Sequence, residues 1–222
     1  KMMGLLVKDM RLTMQRKQTL LIFLIVSVAL GFSFDGSFIV TYVSMLMMIT
    51  AMGTISYDEF DNGYPFLFSL PIDCKTYVTE KYAFCFGMEL VGTVVGMIIM
   101  FITSFITGKP VEMDGMISGV VGSFLGMAMV CAILVYFQLK FGIEKSRMVL
   151  FGGYGVIAVI LLMFKNYFSS HSISEATGLV RTVIDIAVRN PALLLLIITA
   201  VLLAIIYVMY VLTVRMMEKK EF

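Results

Sequence analysis

The residues of this 222-residue chain that could do chemistry are few, and most of them lie together. Residues 57–82 read YDEFDNGYPFLFSLPIDCKTYVTEKY, in which Asp58, Glu59, Asp61, Asp73 and Glu80 accompany Lys75 and Lys81. Almost uninterrupted apolar runs flank this segment. So polar a stretch cannot sit in hydrocarbon; it works in water, and its character suits meeting a partner rather than turning over a substrate. One further acid, Glu89, falls about two turns into the apolar run that follows. An ionisable side chain there is a candidate for function by default, weighed against a hydrogen-bonded or snorkelling acid near the membrane surface. Elsewhere the signatures of catalysis are missing. There is no GxxxxGK[ST] phosphate loop: Gly108-Lys109 lacks the upstream glycine and runs into Pro110. The single His171 suits a solvated or capping role, and Cys74, Cys85 and Cys131 form no CxxC or Cys/His cluster, so no metal site is expected. Paired intramembrane carboxylates, which mark ion coupling, are also missing. Nothing in these residues could supply energy for work across a membrane, so any such energy would have to come from another protein.

Stepping from those residues to the elements that hold them, hydrophobic residues make up 60% of the chain and charged ones 14%, with a mean hydropathy of +0.97. That composition specifies an all-α integral membrane protein in the cell membrane, multi-pass. A net charge of +2 gives no reason to expect nucleic acid. Six apolar segments, at 19–34, 37–55, 83–107, 115–139, 148–164 and 192–214, are expected to span, each supplying roughly the 17–25 residues that a spanning helix needs. The first run is long enough to be a span, not a cleavable signal. The chain is read as one permease-sized domain, 1–222, with an N-terminal amphipathic helix at 1–18. There Met3, Leu6, Met10 and Met14 recur at helical spacing while Lys8, Arg11 and Gln15 fall elsewhere, the pattern of an elbow lying on a leaflet.

Lysine and arginine placement sets the expected orientation. With the N-terminus inside, only Lys109, Lys165, Arg181 and Arg189 of the 17 basic residues lie outside. Both termini and the 56–82 segment are then cytoplasmic. Gly92/Gly96, Gly115/Gly119 and Gly122/Gly126 are small residues four apart, which permit close helix packing within a bundle or between subunits. In the last outer loop, 165–190, Ser172 and Glu175 have capping-box spacing. Val180, Val183, Ile184, Ala187 and Val188 form an apolar stripe opposite Arg181, Asp185 and Arg189. An amphipathic hairpin dipping into the outer leaflet fits that pattern, as does a helix lying flat on the surface. The 20 methionines could line an adaptable apolar conduit or simply face lipid.

Within 56–82, Pro71 suits the first turn of a helix, Asp73 favours its N-terminal end, and Lys75 and Lys81 fall later. Asn62-Gly63 and Tyr64-Pro65 are turn signals ahead of it. A short cytoplasmic helix from about Pro71 toward Tyr82 is therefore expected, a docking knob for a soluble partner.

The run Ile55-Ser56-Tyr57-Asp58-Glu59-Phe60, with Asn62-Gly63-Tyr64, Leu70-Pro71, Tyr77-Val78 and Lys81-Tyr82, resembles the signature of type-2 ABC transporter permeases. The opening Gly4-Leu5-Leu6-Val7-Lys8-Asp9 is similar to the N-terminus of the small six-span permeases of Gram-positive bacteria, a group that includes exporters of cytolytic peptides (phenol-soluble modulins). The resemblance implies two such permeases, identical or paired with a sister subunit, over two separately encoded ATPases that bind the ATP and Mg; this chain itself holds no cofactor and is no enzyme. It makes the helix after Pro71 the coupling helix, with Asp58, Glu59, Pro71, Ile72, Asp73, Lys75 and Tyr77 engaged in ATPase coupling. Glu89, Val183 and Ile184 become candidates for a pathway or outer gate. The expected function is export of amphipathic peptides, lipids or hydrophobic drugs. The alternative is a membrane immunity or scaffold protein that binds a toxin or sensor without transport.

Overall fold

Apolar runs that lack proline fold as helix in a membrane because every backbone N–H and C=O must find its partner within the segment. The computed structural model describes residues 2–60, 63–108, 119–142 and 191–220, and among them it is helical with no strand. The helices are α1 (Met2–Gln15), α2 (Lys17–Gly31), α3 (Gly36–Glu59), α4 (Gly63–Ser69) and α5 (Cys74–Thr107), then α6 (Gly119–Gly142) and α7 (Pro191–Glu218). Four are long and apolar enough to cross a membrane: α3, α5, α6 and the Leu196–Glu218 part of α7. They correspond to the second, third, fourth and sixth expected spans. The expected fifth span and the outer loop with Val183 and Ile184 lie outside the described residues.

The first expected span behaves differently. α2 has 15 residues, about 22 Å at 1.5 Å per residue, and it meets α1 at a 68° bend. Arg16 sits at that bend in a non-helical conformation. Its Nη2 donates to the Tyr57 hydroxyl at 2.5 Å, and its guanidinium lies 4.8 Å from the Tyr57 ring centroid, so the corner is tied to α3. On α1 the Met3, Val7, Met10 and Met14 side chains are exposed, whereas Leu5, Asp9 and Thr13 are buried. Of the expected stripe, Met3, Met10 and Met14 therefore point away from the protein, as an interfacial helix requires, whereas Leu6 packs on the core cluster. The inward face, at i, i+4 and i+8, carries an acid.

α3 and α5 form the central pair. A Cβ placed on Gly92 would come within 2.7 Å of Ser44 Cα, and one on Gly96 within 2.8 Å of Val40 Cα. These glycines bring two backbones into contact, the close approach expected of their spacing. Ser44 and Thr93 share a hydrogen bond of 2.9 Å across the same seam. By contrast a Cβ on Gly122 or Gly126 meets nothing within 4 Å among the described residues.

The coupling segment also departs from expectation. No separate helix begins at Pro71: Asp73 occupies the N-cap in an extended conformation, and α5 runs unbroken for 34 residues from Cys74. With no proline inside it, nothing interrupts the ladder until Gly108, whose φ of +66° closes the C-terminus. The polar segment and the third span are one rod, roughly 51 Å long. Where turn signals stood, Tyr64, Pro65 and Phe68 fold into the short helix α4. Pro65 is tolerated there because N–H groups of a first turn have no intrahelical partner.

Gly92→Ala or Gly96→Ala should each lower the thermal unfolding temperature in mild detergent, by a cost of about 1–3 kcal/mol for an overpacked contact. Gly126→Ala should melt with the wild type.

Candidate functional site

Three helices present polar residues that the bundle brings together, on two of them one turn apart. α3 contributes Thr54 and Asp58, α5 contributes Tyr77 and Lys81, and α1 contributes Lys8 and Asp9 from its inward edge. Lys81 is fully buried. Its Nζ bonds Asp9 Oδ2 of α1 and Asp58 Oδ2 of α3 at 2.7 Å, with Thr54 Oγ1 at 3.5 Å. Lys8 supplies the second cation, donating to Asp58 Oδ1 and lying 3.3 Å from Asp9 Oδ1. The Tyr77 hydroxyl donates to Asp58 Oδ2 at 3.1 Å, and Thr54 donates to Asp9 Oδ2 at 2.9 Å. Two lysines thus hold two aspartates in a clasp that links α1, α3 and α5. The Glu80 carboxylate, also buried, stands 3.8 Å from Lys81.

The same end of the bundle is stitched to the remaining helices by neutral hydrogen bonds. Tyr82 donates to the Ala132 carbonyl at 3.1 Å and pairs with Thr213 at 2.9 Å, joining α5 to α6 and α7. Gln138 of α6 donates to the Met52 carbonyl at 3.2 Å and to Ser56 at 3.0 Å. The end of α7 reaches back through Lys220, which donates to the Leu139 carbonyl at 3.1 Å. Every helix except α2 is therefore fastened close to the clasp.

The residues singled out for ATPase coupling separate into two sets. Pro71, Asp73 and Lys75 are exposed around the start of α5, beside exposed Leu70 and Phe66, the latter 74% accessible. Ile72 is half-buried and packs on the core cluster. Glu59 is half-buried at the end of α3, against Gly142, whose φ is +78°. Asp58 and Tyr77 are buried and belong to the clasp, not the surface. α4 links the two sets: Tyr64 meets the Tyr77 ring edge-on at 6.1 Å and Phe68 meets it at 5.8 Å. Burial pushes the Tyr64 phenol well above its ordinary pKa, so it is neutral at any physiological pH.

Asp9 and Lys81 are the residues that reading the sequence for function did not single out. Both stood in the short motifs on which the resemblance rested. The available signal was spacing: Thr54/Asp58 and Tyr77/Lys81 are each four apart, where one helix face carries both. Glu89 is fully buried in α5, away from the clasp. Among the described residues no group of three or more metal-binding side chains occurs.

Removing one member of a buried ion pair strands the other charge, at about 3–5 kcal/mol. Lys81→Met should therefore melt well below the wild type in mild detergent. Adding Asp9→Asn and Asp58→Asn to it should recover part of the loss, while Asp73→Ala at the surface should change little. Equal melting of Lys81→Met and the wild type would show that the clasp carries no weight.

No curated protein and no solved structure matches the chain. The family model described as ABC-2 family transporter protein matches residues 4–218. It takes in all the clasp residues and the whole of α5. This multi-pass membrane protein belongs to the ABC-2 transporter family, as a membrane permease component that is not itself catalytic.

Proposed function

We propose that the chain is the membrane permease of an ATP-driven exporter and that a separate ATPase drives it through the exposed turn at residues 70–75. The observation that carries this reading is the continuity of α5. The turn that offers Pro71, Asp73 and Lys75 to solvent is the foot of the same helix that holds Tyr77, Lys81 and Glu89. A load applied to that foot passes along a rigid rod, and the clasp shares it with α1 and α3. Exposed Phe66 and Leu70 give the foot an apolar shoulder beside opposite charges, a mixture that suits a protein groove. The lysine and arginine distribution supports placing this end in the cytoplasm. In that arrangement two permeases, alike or sister subunits, stand over two ATPases that bind ATP and Mg.

The cargo we favour is amphipathic: cytolytic or antimicrobial peptides, lipids or hydrophobic drugs, as handled by the small six-span permeases of Gram-positive bacteria. The exposed apolar faces of α5 and α7 leave a lipid-borne substrate free to approach from the bilayer. Val183 and Ile184 remain the proposed outer gate.

The test begins with what co-purifies in mild detergent. Recovery of an ABC ATPase with the chain is expected, and recovery of the chain with no ATPase under conditions that keep it folded would overturn the reading. The Asp73→Ala, Lys75→Ala double variant should melt like the wild type yet lose several-fold in transport-coupled ATP hydrolysis. Unchanged coupling would remove the turn from the mechanism.

A further inference from the structure

Glu89 is the one acid of α5 that the clasp leaves unused. It is 0% exposed, and neither carboxyl oxygen has a hydrogen-bond donor among the described residues. Its neighbours cannot supply one. Thr93, one turn on, donates to the Glu89 carbonyl at 3.0 Å and pairs with Ser44 at 2.9 Å, so both hydroxyls are occupied. Lys81 is eight residues back, about 12 Å along the helix axis, and is engaged by Asp9 and Asp58. A carboxyl buried without a partner is costly to keep, and an acid inside a membrane span that is neither paired nor snorkelling points to use rather than packing.

We propose that Glu89 is the receptor for the positive charge of an organic cation, an amphiphile carrying an amine or other cationic head on an apolar body. The inference rests on the transport reading, since it names the class of cargo. The surroundings choose between kinds of cation. A hard metal ion takes several oxygen ligands, and among the described residues no group of three or more His, Cys, Asp or Glu side chains that could hold one includes Glu89. Cys85 lies one turn back on α5, Cys131 of α6 meets that thiol and feels the Glu89 charge, and the partly buried Phe86 and Met88 flank Glu89 along α5. Polarisable, apolar side chains of that kind accommodate a bulky organic group.

The seam that must part is the one toward α6. Toward α3, the Gly92 and Gly96 contacts leave no room between backbones, so α3 and α5 move as a unit. Toward α6 the contacts are made by side chains, the Tyr82 hydroxyl on the Ala132 carbonyl and Cys131 against Cys85. Parting those contacts would open the Cys131 side of Glu89 without breaking the clasp, none of whose residues lies on α6. The site is therefore closed in this conformation, and opening it couples cargo entry to movement of the permease.

The test uses the purified chain in nanodiscs of zwitterionic phosphatidylcholine, with tetraphenylphosphonium as the cation and tetraphenylborate as its anionic twin, each corrected for empty nanodiscs. Saturable binding of the cation alone is expected, weakened at least tenfold by Glu89→Gln and unchanged by Asp73→Ala. Equal binding of both ions, equal binding by Glu89→Gln, or no saturable binding by the wild type would each overturn the proposal. Should Glu89→Gln not be recovered folded, the wild type supplies the answer: tetraphenylphosphonium should slow modification of Glu89 by dicyclohexylcarbodiimide, and absence of protection counts against the site. No ATPase is needed for these measurements. A negative result here leaves the co-purification result standing, and loss of the ATPase partnership leaves the binding result standing.

Discussion

The arrangement of this protein hangs on a lysine that has been taken out of water. An ammonium group moved into low dielectric loses several kcal/mol of solvation unless anions and hydrogen-bond acceptors replace its water. Lys81 is fully buried, and its partners come from two other helices: Asp9 from α1 and Asp58 from α3. Satisfying one charge therefore fixes three elements at once. The two aspartates carry the same constraint in reverse, which Lys8, Thr54 and Tyr77 help to meet. Such a cluster need add little net stability over an apolar core of equal volume. What it adds is discrimination: a slipped α1 or a rotated α5 would strand a charge.

The membrane solvent explains why the rest of the bundle is held differently. Away from the clasp, lipid tails are as apolar as leucine, so burying leucine gives helices no reason to associate. Close backbone packing takes that role where Gly92 and Gly96 meet Ser44 and Val40. The α3–α5 pair is thus held by glycine packing along its length and by ions at one end. α6 and α7 are attached chiefly near that same end, through Tyr82, Gln138 and Lys220. Among the described residues, the hydrogen bonds that join α6 and α7 to the central pair thus cluster at the clasp end.

That arrangement also gives the two kinds of residue in 57–82 separate work. Pro71, Asp73 and Lys75 meet solvent, whereas Asp58 and Tyr77 anchor the helix that carries them. In the proposed coupling, a contact surface without the anchor would yield locally when pressed. The aromatic bridge from Tyr64 and Phe68 to Tyr77 closes the gap between the two sets.

By itself the sequence determined the class of the protein, the positions of α3, α5, α6 and α7, the outward methionine stripe of α1 and the closeness of Gly92 and Gly96 to a neighbour. These are properties of hydropathy and helical period, which act over one or two turns. It also marked 57–82 as the segment of interest, because charge amid apolar runs is conspicuous. Only the tertiary structure decided that Asp9 meets Lys81 across 72 residues, that Tyr77 lies inside rather than at the contact surface, and that the segment after Pro71 continues into the third span. It also joined α1 to α2 by a sharp corner. The physical reason is common to the first two. Which charges pair, and which polar side chain is buried, depends on desolvation in the assembled bundle, and no local pattern records which distant helix will supply the counter-ion.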